Sequence, residues 1–97
     1  MHRHEQLWRE IRQQLIPLEA IFDDREAASR YRNWFREVLA HNELELALHA
    51  VCDFLFENPD ATLRPADLDR IRAAHKLMSL EDYCIRKLPE RDPIAQD

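Results

Sequence analysis

The chain of 97 residues contains no glycine, where average usage of about 7% would place roughly seven. Phosphate cradles of the P-loop type, dinucleotide fingerprints and the G-x-S-x-G nucleophile elbow are therefore excluded, because each needs glycine for a positive φ or a close backbone approach. The commonest two-residue hairpin turns also lose their preferred residue. Long apolar runs are missing as well. Stretches such as Leu46-Ala47-Leu48, Ala50-Val51-Cys52 and Phe54-Leu55-Phe56 fall far short of a membrane span or a secretory h-region. No targeting segment is visible, so the expected location is cytoplasmic with no membrane partner. The only two cysteines, Cys52 and Cys84, have thirty-one residues between them. That spacing matches neither a metal knuckle nor a C-x-x-C redox pair, and in a reducing compartment both are expected to be free, buried thiols.

What is present is apolar periodicity at helical spacing. Leu7, Ile11 and Leu15 predict a first helix from His4 to about Ile16, with Trp8 beside the stripe. Pro17 removes a backbone donor and disfavours α geometry at Ile16, which predicts a break before Leu18–Phe22. Asp23 or Asp24 is expected to cap a second helix whose inner face runs Ala27, Tyr31, Trp34 and Val38, widened by Phe35 and Leu39. Asn42 with Glu45 three residues on reads as a capping box for a third helix ending near Glu57, its core stripe being Leu44, Leu48, Val51 and Leu55. Pro65 suits the first position of a fourth helix carrying Leu68, Ile71, His75 and Met78 on one face. Ser79 with Asp82 suggests a short fifth, from Leu80 to about Leu88, followed by a polar tail over 89–97. The expected fold is all-α: one compact domain over 1–88, a bundle of four to five helices.

The charge is unevenly placed. Residues 1–41 carry seven basic and seven acidic side chains, and residues 64–97 again seven of each. The whole net charge of −5 therefore comes from residues 42–63, where Glu43, Glu45, Asp53, Glu57 and Asp60 meet no Lys or Arg. On the third helix Glu45, His49, Asp53 and Glu57 are successive neighbours four apart and line one stripe opposite the leucines, flanked by Leu46 and Phe56. That face is either a solvated helix surface or the docking face for a cationic protein, with the phenylalanine as anchor.

Other chemistries have less to stand on. His41, Glu45, His49 and Asp53 share the spacing of four that a metal would use, but neither Glu-x-x-His nor H-E-x-x-H is present, so no metal or other cofactor is expected. His75 falls on an apolar face, where a core imidazole is the expected role. No Ser or Cys comes with an identifiable base and orienting group, and no enzymatic activity is expected. Arg25, Arg32 and Arg36 on the second helix are the one arrangement suited to meeting phosphates. In an acidic chain, intramolecular pairing or solvation is expected of them instead, and no nucleic-acid partner.

The segment His41-Asn42-Glu43-Leu44-Glu45-Leu46-Ala47-Leu48-His49-Ala50-Val51-Cys52-Asp53-Phe54-Leu55 resembles the MafI family of immunity proteins. Those proteins carry a central H-x-E-x-x-x-A-L/F-x-x-L/V-x-D-x-L pattern and a later Met-x-Leu stretch like Met78-Ser79-Leu80. The resemblance covers roughly residues 35–88, matches best at Glu43, Ala47, Leu48 and Asp53, and departs where family members often have glycine and this chain has Asn42 and Glu45. It implies an immunity protein of a bacterial polymorphic or contact-dependent toxin system, held in the cytoplasm to neutralise a cognate toxin, often a nuclease. The candidate partner-binding surface is then Glu43, Glu45, Leu46, His49, Asp53, Phe56 and Glu57. A non-enzymatic adaptor or structural bundle stands as the alternative, with Leu46, Phe56 and Trp8 buried between the subunits of a homodimer.

Overall fold

The computed structural model describes residues 2–23 and 25–78, with the backbone alone at residues 2–4. Among the described residues the chain is all-helical, with four α-helices and no strand: α1 (His2–Leu15), α2 (Glu26–Ala40), α3 (Leu44–Glu57) and α4 (Pro65–Met78). A 3-10 segment, Ile16–Ile21, follows α1 directly. The break expected at Pro17 is there, because proline stands second in that segment, in its first turn, and the α ladder does not continue through it. Leu18 and Ile21 then turn inward and are buried. The expected fifth helix and tail lie outside the described residues.

α3 is the centre of the packing. Eight of its residues are buried, Leu44, Ala47, Leu48, Ala50, Val51, Cys52, Phe54 and Leu55, which leaves only a narrow exposed strip. α2 makes the most extensive contact with α3, while α1 packs chiefly on α4 and closes over α3 and the 3-10 segment. One core unites all of them, with Ile11, Leu15, Leu18, Phe35, Leu63 and Ile71 joining the α3 residues. Phe22 sits 5.5 Å from the Phe35 ring and 5.4 Å from the Phe54 ring, and Tyr31 lies 5.6 Å from Phe54. These tilted and edge-on arrangements favour the ring quadrupoles.

The inner face of α2 differs from the expected one. Ala27 is exposed and Tyr31 and Trp34 are half-buried, whereas Ala28, Phe35, Val38 and Leu39 are buried. The helix is rotated so that Phe35 meets the aromatic cluster, and Tyr31 and Trp34 are left at its edge. Asp23 does not cap α2. Arg25 occupies the N-cap position with no side-chain cap bond, and Asp23 Oδ1 accepts from the Arg25 backbone N–H at 3.1 Å and from its Nε at 3.0 Å. Cys52 is fully buried, as expected, but it is disulfide-bonded rather than a free thiol. Burial is shared by thiols and half-cystines alike, so the apolar setting of Cys52 could not distinguish them. Cys84 lies outside the described residues.

Asn42 also takes another role than the expected capping box. α3 begins one residue later, with Glu43 at its N-cap and no side-chain cap bond. Asn42 has φ of 60° and terminates α2: its N–H donates to the Leu39 carbonyl at 3.0 Å, and the Glu43 N–H donates to the Val38 carbonyl at 2.8 Å. This is the Schellman pattern, usually built on glycine, with asparagine in the left-handed position. In a chain without glycine, asparagine is the residue type that tolerates the geometry best. Asn42→Val is expected to lower the unfolding free energy by about 1–2 kcal/mol and Asn42→Gly to leave it unchanged or raised, as read from urea denaturation midpoints. A valine variant as stable as the parent would show that this turn is not strained toward the left-handed region.

At the far end of α3, Asn58 is the C-cap, donating through both its backbone N–H and its Nδ2 to the Phe54 carbonyl at 2.9 Å. Pro65 opens α4 as expected, and Asp67 Oδ2 reaches back to the Arg64 N–H at 3.1 Å, one half of a capping box.

Candidate functional site

The exposed strip of α3 consists of Glu45, Leu46, His49, Asp53, Phe56 and Glu57, because every other residue of the helix is buried. At about 100° per residue these six positions span roughly a third of the helix circumference. Glu45 and Glu57 are exposed, as is Leu46 with 40% of its surface accessible, while His49, Asp53 and Phe56 are half-buried. Phe56 packs on the core from its edge. Glu43 is exposed just before the helix. The structure thus places all seven sequence-selected residues on or beside one face, which carries four carboxylates and no Lys or Arg of its own.

Each end of the strip borders a concavity. Near Glu45 a shallow crevice of about 330 Å³ is walled by Leu7, Trp8 and Ile11 of α1, Leu44 of α3, and Leu77 and Met78 of α4. At the other end a notch of about 350 Å³ lies between α2 and α3, with Arg30, Tyr31, Trp34 and Asp53 lining it. Tyr31 connects this notch to the last turn of α3 by donating its hydroxyl to Glu57 Oε1. That hydrogen bond, helped by partial burial and by the charges of Glu57 and Asp53, pushes the Tyr31 phenol up to about 12, against a smaller opposing effect of Arg30. A raised pKa means that the folded state holds the phenol proton more tightly than the unfolded chain does. The associated stability is present below about pH 10, the ordinary tyrosine value, and is lost as the pH rises through about 12. Glu57→Gln is expected to bring the Tyr31 phenolate transition down toward 10, read from near-ultraviolet absorbance in a Tyr83→Phe background. An unmoved transition would show that Glu57 does not hold the hydroxyl.

Arg25, at the N-cap of α2, and Arg32 and Arg36 within it are engaged within the chain. Arg25 bridges Asp23 and Asp60, with Nη1 at 2.9 Å from Asp60 Oδ1, and reaches Asn58 Oδ1 at 3.4 Å. The Asp60 hydrogen bond in particular raises its pKa, so the loop after α3 is tied to the start of α2 by a permanently charged group. Arg32 donates to the carbonyls of Phe22 and Asp23 at 3.1 and 2.9 Å. Arg36 Nε donates to Glu19 Oε2 at 2.6 Å. The expected intramolecular pairing is what these residues do, and a phosphate would have to displace it. His41 caps α2 and its Nδ1 lies 2.9 Å from the Glu37 carbonyl, away from the spacing of four that would join it to Glu45 and His49. Among the described residues no group of three or more His, Cys, Asp or Glu side chains is placed to hold a metal ion. His75 is buried on α4.

The notch is the feature that sequence reasoning missed. Tyr31 and Trp34 read as inward positions of α2, and only the rotation of that helix brings them beside Asp53. No family model, curated protein or solved structure matches the chain. Among the described residues no helix is long and apolar enough to cross a membrane.

Proposed function

We propose that the protein is a non-catalytic inhibitor, an immunity protein that neutralises a cognate bacterial toxin by seating the acidic strip of α3 on a basic surface of that toxin. The observation that carries this reading is the coincidence of charge and exposure. The segment 42–63 that supplies the whole net charge of −5 contains α3, and three of its five carboxylates, Glu45, Asp53 and Glu57, lie with Leu46 and Phe56 on the one exposed strip of that helix. Carboxylates around apolar side chains give a partner both long-range steering and a surface to bury. A nuclease toxin suits such a surface, since it must be cationic where it holds phosphate. The resemblance of residues 35–88 to MafI immunity proteins points the same way.

Replacing Glu45, Asp53 and Glu57 together by lysine tests the reading through the association rate with a basic toxin domain. Association that is unaltered, with no new salt dependence, removes it. The proposed site of action is the cytoplasm. A disulfide at Cys52 runs against that location, because cytoplasmic thiols are ordinarily kept reduced. Alkylation of the protein in acid-quenched cells decides between them.

The exposed Trp8 and Ile16, together with Leu46, support a second reading as a homodimeric adaptor. Light scattering separates the two: a dimer that persists on dilution and protects Trp8 and Leu46 favours the adaptor.

A further inference from the structure

We propose that Cys52 is bonded to Cys84 and that this bond straps residues 79–88 along the side of α3 that borders the crevice near Glu45, covering the crevice in the oxidised protein and releasing it on reduction. The inference goes beyond the immunity reading and does not rest on it. Three observations carry it. The first is covalent: Cys52 is disulfide-bonded, and Cys84 is the one other cysteine of the chain. A disulfide holds its two α-carbons within about 4.4–6.8 Å of each other, so residue 84 is brought to the middle of α3.

The second is where the strap starts and where it is tied. α4 ends at Met78, and Leu77 and Met78 line the crevice of about 330 Å³ together with Leu44 and Glu45 of α3. Cys52 stands seven residues after Glu45, which is about two helical turns, so both lie on one side of α3 and roughly 10 Å apart along its axis. Five residues separate Met78 from Cys84, a length that spans about 9 Å as helix and about 20 Å when extended. That reaches Cys52 along the crevice side of α3 and is too short to go round the bundle instead. The third is the sequence of the strap. Leu80, Cys84 and Leu88 recur four apart with Tyr83 beside them, while Glu81, Asp82, Arg86 and Lys87 fall between. At helical spacing the bonded cysteine thus shares a stripe with the apolar residues, as a segment lying on Leu7, Trp8, Ile11 and Leu44 requires.

Covering the crevice removes apolar area from water, and the bond keeps the segment at high local concentration beside it. A dithiol exchanges the S–S bond for two thiols and closes to its own disulfide, two electrons and two protons passing to Cys52 and Cys84. Untied, the segment holds the crevice by its apolar contacts alone. The crevice is therefore shielded in an oxidising compartment and opened in a reducing one.

The test uses the whole chain, oxidised with glutathione disulfide and then reduced with dithiothreitol. Peptide mapping without reductant is expected to pair the Cys52 and Cys84 peptides within a monomer. In NMR, nuclear Overhauser contacts from Leu80 or Tyr83 to Trp8 or Leu44 are expected in the oxidised protein. On reduction they should be lost and the Trp8 indole N–H should shift, while the Trp34 indole N–H, in the notch between α2 and α3, stays still. Cys84→Ser, which leaves the buried Cys52 in place, should give the reduced spectrum without reductant. Free thiols after oxidation, a bond joining two copies, absence of those contacts in the oxidised parent, or a Trp8 resonance that ignores reduction overturns the proposal. Mapping and contacts in the parent decide the matter even if the serine variant folds poorly. A bond between copies would make a second chain the occupant of the crevice. No toxin is present in this experiment, so its outcome is separate from that of the charge reversal.

Discussion

Phe54→Ala is expected to cost about 3–5 kcal/mol of folding stability. Phe54 is fully buried on α3, with the Phe22 ring at 5.4 Å on one side and the Tyr31 ring at 5.6 Å on another. Truncation removes the transfer free energy of the ring and the two edge contacts, each worth about 0.5–1.5 kcal/mol. It also leaves a cavity that three different elements line and that none can fill by moving alone. A domain of this size has about 5–15 kcal/mol in all, so the variant should unfold at a much lower urea concentration with an unchanged m-value. Phe54→Leu, which keeps most of the volume, should lose less than half as much. A loss below about 1 kcal/mol for the alanine variant would mean that the aromatic cluster is not where the stability resides. The same variant should release Tyr31, and with it the bond to Glu57, because that ring rests on Phe54. The core and the proposed site share this residue.

The elements that proline and apolar spacing specify were legible in the sequence. Pro17 ends α1 and Pro65 begins α4 because proline can occupy few backbone positions. The exposed strip of α3 was readable because a helix buried on most of its circumference leaves its polar residues in one arc. Legibility failed where one residue type serves two backbone roles. Asn42 is favoured both as an N-cap and in the left-handed position after a helix, and only the Glu43-to-Val38 hydrogen bond decides for the second. Pairings across long separations were also hidden in their particulars. Arg25 meets Asp60 thirty-five residues away and Tyr31 meets Glu57 twenty-six away, and nothing local marks either partner. The orientation of α2, which makes the notch, depends on how Phe35 settles against Phe22, a tertiary choice that helical periodicity leaves open to within a residue.

Reversing Glu45, Asp53 and Glu57 to lysine is expected to slow association with a basic toxin domain by between about ten- and a thousand-fold at low ionic strength. Each reversal adds two charges, so the triple change takes the net charge from −5 to +1. Steering acts over the Debye length, about 30 Å at 0.01 M salt and about 8 Å at 0.15 M. The parent and the variant should therefore converge as salt is raised, with the difference carried mainly by the on-rate. Net charge alone would produce part of this effect, so the informative control is a second triple, Glu26, Glu37 and Asp69 to lysine. All three are exposed and off the strip, and together they give the same overall charge. If the strip is the docking face, this control should slow association far less than the α3 triple does. Equal slowing by the two triples would show that the partner senses the charge of the whole molecule, and the strip would then be an ordinary solvated helix face. Single reversals refine the outcome, since Glu45 borders the crevice near α1 and Asp53 lies in the notch beside Trp34. A loss concentrated at Asp53 places the anchor in the notch, and a loss concentrated at Glu45 moves it to the opposite end of α3.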